Sequence, residues 1–232
     1  MKQSKPKQLT FQNVIDSSFR QHERKFQAYM VDNVELYRGF ARMITPDLSD
    51  NLAVYTRIAF AIVSANAPFE DSIRALDVAI VKRGKVTRED MLQFSGMTPA
   101  KAIYVNELWT QVTHSFDNFR KYHLESWQEF RERLMYLKGL GRAKASFAAC
   151  LLYPLEADLA CVDTWIQKVF LGHTGFKSLS RTTYQLVEAK IRRYARKFQV
   201  STFLAQWMIW DHARGGKPNS HAIFPGSHKG AL

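Results

Sequence analysis

The chain has 232 residues, 46% of them apolar, with 33 Lys plus Arg against 21 Asp plus Glu, a net charge of +12. That length suffices for one domain with a real core, or two subdomains, and the apolar fraction excludes a disordered chain. The charge favours a polyanionic partner, nucleic acid before a membrane surface: no helix has a purely basic polar face, and no apolar stretch reaches the roughly 18 residues a span needs.

The first ten residues, "MKQSKPKQLT", are basic but lead into no apolar run, so they do not read as a secretory signal. Residues 11–45 are polar-rich and helical, with Phe26, Met30, Val34 and Tyr37 as the apolar face. "TPDLSDN" separates them from "LAVYTRIAFAIVSA" (52–65), apolar on nearly all sides and so predicted to be a buried central helix, ended by "NAPFED". Breaks follow at "KRGKVTRED" and at "SGMTPAKA", where Thr98 is placed to cap a helix with Pro99 at its first position.

Ser126 and Glu129 have the spacing of a capping box ahead of Phe130, Leu134 and Leu137, a helix predicted to end at Gly139. The next helix starts near Arg142 and must stop by Pro154. Another runs from Thr164 to Leu171, with Ile166, Val169 and Phe170 inward and Gly172 as its stop. Two more cover roughly 181–198 and 202–213, and the tail "GGKPNSHAIFPGSHKGAL" reads as irregular. Period-two alternation is nowhere sustained, so the fold class is all-α. One short echo stands out: "SGMTPAKA" (95–102) resembles "KGLGRAKA" (138–145), both helix starts after glycine.

The candidate chemistry lies in "GLGRAKASFAACLLYPLEADLACVDTW" (139–165). Gly139 and Gly141 flank Leu140, which would pin the turn to the core. The amides from Gly139 to Lys144 then sit at a helix N-terminus, an anion site, with Arg142 and Lys144 adding charge at the same edge. This suits a DNA phosphate held without reading sequence; "GLG" alone reads as an ordinary helix–helix turn, and the flanking helices, the basic residues and the net charge favour the anion site. Asp163 is a natural N-cap for the helix after it, and capping alone explains an aspartate there. The cap would also hold the carboxylate ionised in an apolar cleft, where a fixed negative charge can stabilise a cationic sugar or orient a nucleophile.

Helix, "LKGLGRAKA", helix, apolar loop, "ACVDTW", helix resembles the helix-hairpin-helix DNA glycosylase superfamily, whose pattern is "LPGxGxxxA" followed by an aspartate in "VDTH". "FAIVSANAPFEDSIRAL" (60–76) and "FSGMTPAKAIYVNELW" (94–109) extend the resemblance, which covers residues 52–171. It implies one domain, 1–232, of two helical subdomains with a DNA-binding cleft between them. Residues 52–153 with the hairpin 137–145 would form one, and 1–51 plus 155–232, carrying Asp163, the other. It further implies an enzyme that flips one nucleotide out of double-stranded DNA. Asp163 would be the essential acid, and the hairpin residues Lys138, Gly139, Leu140, Gly141, Arg142 and Lys144 would bind DNA. Asn66 would fill the gap left by the flipped base, with Met97 as a second wedge.

Departures from the pattern matter. The Schiff-base lysine of bifunctional members falls on Ala143; Lys144 is one residue on, about 100° around the helix, and should turn toward phosphate. The hairpin proline is Lys138. The histidine of "VDTH" is Trp165, which stacks on a base or belongs to the core. The cluster cysteines of the endonuclease III type are absent. A monofunctional N-glycosylase is therefore the leading expectation. Phage relatives offer an alternative: they resemble glycosylases but act in thymine hypermodification, joining an amine or amino acid to pyrophosphorylated 5-hydroxymethyluracil in DNA, and "GRAKASFAACLLYP…ACVDT" resembles them as well. A non-catalytic DNA-binding module is the third reading.

Other features carry less. In "WDHARGG" (210–216), Asp211 and His212 are helix neighbours that point apart, so surface or core roles are expected. "AKIRRYARK" (189–197) is a basic helix face, either solvated or tracking a phosphate strand. The 7 histidines show no metal-ligand spacing, and the 2 cysteines, Cys150 and Cys161, form no C-x-x-C. No metal or cofactor is expected, and the protein is expected to act as a monomer in a reducing, cytoplasmic compartment.

Overall fold

The computed structural model of the protein describes residues 11–172 and 179–216, with side chains omitted for 11–19, 21 and 22. Among the described residues the fold is all-helical, as the sequence predicts. Ten α-helices follow in order: α1 (Phe11–Ile44), α2 (Asn51–Val63), α3 (Phe69–Lys82), α4 (Arg88–Leu92), α5 (Pro99–His114), α6 (Trp127–Leu134), α7 (Arg142–Leu152), α8 (Thr164–Leu171), α9 (Arg181–Phe198) and α10 (Thr202–Ala213). A short 3₁₀ turn, Phe116–Phe119, follows α5.

The centre is α2. Asp50 caps it by accepting from the Leu52 amide at 2.8 Å, and every residue from Val54 to Val63 is buried. Each buried Ile, Val or Phe side chain contributes about 1.5–3 kcal/mol of transfer free energy, so propensity is secondary to packing here. Arg57 lies within this apolar helix because its guanidinium finds the carbonyl left over at the end of α1: Nε and Nη2 donate to Ile44 O at 3.2 and 2.7 Å. Burial pushes its pKa down to about 10.

Helix packing falls into two groups. α2 lies against α3, α5 and α7, with α4 on α5 and α6 on α7; α1 lies against α8, α9 and α10, and α10 against α8 and α9. Across the join runs a buried polar tie. Arg131 Nη1 on α6 donates to Glu188 Oε1 on α9 at 2.9 Å, and both side chains are 2% exposed.

Several local expectations change. The break predicted at "KRGKVTRED" is present between Lys82 and Arg88 and is followed by a short helix the sequence does not predict, α4, started by a Thr87–Asp90 capping box. The Ser126–Glu129 capping box is present, but α6 stops at Leu134. The chain turns through Met135–Gly141 instead of staying helical to Gly139, because Leu134 O and Leu137 O are taken by successive turn bonds from Leu137 N and Leu140 N. Thr98 occupies the N-cap position of α5 without any side-chain cap bond. Beyond Gly216 the irregular tail lies outside the described residues.

Candidate active site

The hairpin divides its work between two glycines. Gly139 takes φ +87, and a Cβ there would meet Tyr104 Cδ2 at 2.6 Å, so close packing and backbone conformation both require glycine. Gly141 is extended, φ −78 and ψ 175, and nothing lies within 4 Å of where its Cβ would stand. Leu140 is buried and pins the turn, as predicted. No side chain caps α7, so its first-turn amides remain available to an outside acceptor.

The basic edge is more occupied than the sequence suggests. Lys138 Nζ pairs with Glu107 Oε1 at 2.7 Å. The Arg142 guanidinium lies 5.9 Å from the centre of the Tyr184 ring, and its Nε is buried without a partner. Lys144, expected to turn toward phosphate, instead bonds to the end of α2: Nζ donates to Ser64 Oγ at 2.9 Å and Ser64 O at 3.1 Å. Its direction is set by the unsatisfied carbonyls there, which a cation near a helix C-terminus meets favourably.

Asp163 is the N-cap of α8. Its Oδ1 accepts from the Ile166 amide at 2.9 Å, and its Oδ2 accepts from Trp210 Nε1 at 2.8 Å. The loop behind it is nearly dry: Ala157, Leu159, Ala160, Cys161 and Val162 are all buried. This burial raises the Asp163 pKa above the ordinary carboxylate value, against the lowering effects of the Ile166 amide, the Lys144 charge and the Trp210 indole. The cap favours the ionised carboxylate, as the sequence predicts, and burial opposes it. Desolvation is the larger of the two effects, so the net shift is upward.

Polar groups behind the loop fix its course. Tyr184 Oη donates to Ala160 O at 2.6 Å and accepts from Val162 N at 3.2 Å, and Glu188 Oε1 accepts from Ala160 N at 3.1 Å. Both cysteines are free and buried. Burial pushes the Cys161 thiol up to about 12 and Cys150 well above its usual value, so neither is a reactive nucleophile.

Of the other predicted residues, Trp165 stands in the first turn of α8 and is 37% exposed, which removes the core reading. Asn66 is exposed just beyond α2, with φ +54. Met97 does not project as a wedge: it is 7% exposed, and its Sδ lies 3.5 Å from the Lys101 ammonium. In "WDHARGG", Asp211 is buried and accepts from Tyr37 Oη at 2.5 Å, while His212 packs on the Phe26 and Tyr29 rings. The residue of that stretch that reaches Asp163 is Trp210, which no local motif marks in the sequence. On the basic face of α9, Arg192 is turned onto Asp158 and Tyr194 is buried. No group of His, Cys, Asp and Glu among the described residues has the geometry to hold a metal, and no described helix is long and apolar enough to cross a membrane.

No family model matches the chain, and no curated protein matches its sequence. Solved structures do match. The 8-oxoguanine DNA glycosylase of Thermotoga maritima aligns over 86% of this chain and 98% of its own, with TM-score 0.69 and 18% identity. The 8-oxoguanine glycosylase/lyase of Methanocaldococcus jannaschii, in complex with a 15mer DNA containing 8-oxoguanine, aligns over 91% and 99%, with TM-score 0.63 and 16% identity. The fold is the one these solved 8-oxoguanine DNA glycosylases have. A structure of the Methanocaldococcus jannaschii glycosylase described without DNA gives TM-score 0.59 over 88% of this chain and 94% of its own, at 17% identity. In this fold Asp163 follows the largely apolar loop 157–162, and α7, which follows the hairpin, carries the lysine charge that acts on it.

Proposed function

We propose that the protein is a monofunctional DNA N-glycosylase. It binds duplex DNA through the amides that open α7, turns one nucleotide out of the stack, and lets water displace the base while Asp163 faces the charge that builds on the sugar. The glycosidic electron pair leaves with the base, the sugar C1′ takes the water oxygen, and the proton that the water loses ends on the released base. Asn66 fills the gap in the stack and Trp165 offers a stacking face to a base.

The observation that carries this reading is the Asp163 carboxylate itself. It is held from two sides, by Ile166 N and Trp210 Nε1, in surroundings that raise its pKa, with a lysine charge nearby. Ala143 at the lyase position and the Ser64 bonds of Lys144 favour hydrolysis over attack by an amine.

The test is incubation with duplexes carrying uracil, alkylated or 5-hydroxymethylated bases, and 8-oxoguanine, on which the structural neighbours act, followed by mass analysis of free base and of DNA. A released base with an intact sugar–phosphate strand supports the reading. A mass gain on the base replaces it with the transferase of the phage relatives, and no change on any duplex leaves a binding module. Borohydride during turnover should trap no adduct; an adduct lost in Lys144→Ala would make the protein a lyase.

A further inference from the structure

The echo in the sequence is also an echo in space. Phe94–Pro99 and Leu137–Arg142 follow the same course, a turn closed onto a glycine of positive φ, an extended pair, then a helix. Met97 and Leu140 fill matching buried positions, and Lys101 and Lys144 stand at matching positions in α5 and α7. Both lysines turn to the same place, the C-terminal end of α2.

There the carbonyls of Val63, Ser64 and Ala65 would lack helical partners. Lys101 Nζ donates to Val63 O at 2.8 Å, to Ala65 O at 2.6 Å and to Gly96 O at 3.0 Å; Lys144 takes Ser64. The three Lys101 bonds join the end of α2 to the turn before α5. The same two segments also touch directly: a Cβ on Gly96 would meet Asn66 O at 2.4 Å and Ala67 Cα at 2.7 Å. Asn66, between them, holds φ +54, a conformation that persists in a non-glycine residue when its surroundings over-determine it.

We infer that Lys101 is a positioning residue for nucleotide flipping: by fastening Ala65 and Gly96 to one ammonium, it sets where Asn66 enters the duplex. The inference rests on the reading that Asn66 fills the vacated stack. Lys101 is 6% exposed, and burial, with the Lys144 charge added, holds its pKa down to about 8. Two ammonium groups drawn to one helix end repel each other, and a neutral donor would satisfy carbonyls without that cost. What the charged pair adds is stiffness in the one short segment that has to resist the base stack.

The test uses the full chain and a duplex with a tetrahydrofuran abasic-site analogue flanked by 2-aminopurine, whose fluorescence rises when a side chain enters the stack. Lys101→Met should keep affinity for an undamaged duplex within about twofold, because the hairpin phosphate contacts are untouched. It should lose the fluorescence rise and lower the preference for the abasic duplex by about tenfold. Lys101→Gln, which keeps two donor protons, should fall between and remain folded if Lys101→Met does not. Asn66→Ala should lose the same signal. If Asn66→Ala loses it and folded Lys101→Met or Lys101→Gln keeps it, the fastening role is wrong and the Asn66 reading stands. If Asn66→Ala keeps it, the Asn66 reading fails and this inference with it. A Lys101 variant that loses affinity for both duplexes equally shows a role in the fold alone and also overturns the inference.

Discussion

In the turn before α5, Gly96 takes φ +72 against the backbone of Asn66 and Ala67; in the turn before α7, Gly139 takes φ +87 against the ring of Tyr104. The first turn then continues through Thr98 to Pro99, which has no amide to offer. The second continues through Gly141, beside which nothing lies within 4 Å, to Arg142 and Ala143, whose amides are free of any side-chain cap. One backbone plan thus serves two ends. Where a neighbouring backbone lies against the glycine and proline follows, the turn is an internal brace. Where a ring lies against the first glycine and a second, open one leads into uncapped amides, the turn serves on the proposed reading as an anion site.

The largest effect should come from outside both turns. Asp163→Asn is expected to lower turnover, on a substrate found in the base screen, by a factor on the order of 100 or more. Stability should hold, because Asn still caps the Ile166 amide; near-normal turnover would reduce Asp163 to a cap. Next comes the contrast of glycines. Gly96→Ala forces a Cβ into backbone and should cost about 3 kcal/mol, whereas Gly139→Ala meets a ring edge that can tilt and should cost about 1–2 kcal/mol. Urea unfolding measures both, and the reverse order would break the comparison of brace and presented face.

A subtler effect concerns pH. The raised Asp163 pKa means the folded state holds that proton more tightly than the unfolded chain does. Ionising it on folding therefore costs stability as pH rises through the window between the two values. Activity that needs the carboxylate should accordingly rise with pH later than an ordinary carboxylate would allow. Trp210→Phe removes a bond that lowers this pKa and should move the acid limb of the pH–rate profile further up; a limb that moves down would detach Trp210 from Asp163. Finally, Gly141→Ala should leave stability within about 0.5 kcal/mol yet weaken DNA binding, while Thr98→Ala changes neither. The smallest effect is that of Lys138→Ala, which should flatten the salt dependence of binding by about one unit of slope if Lys138 trades Glu107 for a phosphate.

Helix starts were the legible part of this sequence. Ser126 with Glu129, Asp163 and Pro99 mark them through local chemistry, and Pro154 and Gly172 mark stops, each acting within a few residues of the boundary. α4 is not legible because its five residues, Arg88–Leu92, are too few to show a helical period. The burial of Met97 is legible in the echo, since its counterpart Leu140 is the residue that pins the second turn to the core. Trp210 and the directions of Lys101 and Lys144 were out of reach, since each is set by a partner far along the chain, at Asp163, Val63, Ser64 and Ala65.

The buried Arg131–Glu188 tie, with Tyr184 beside it, joins the two helix groups at the loop that leads to Asp163. A frame cross-linked at that point does not yawn open to admit a duplex. On the proposed reading the deformation falls on the nucleic acid, which must bend to bring a sugar to the carboxylate. Pliable pyrimidine–purine steps flanking the target would then be processed faster than stiff A-tracts, a preference arising at positions that no side chain reads.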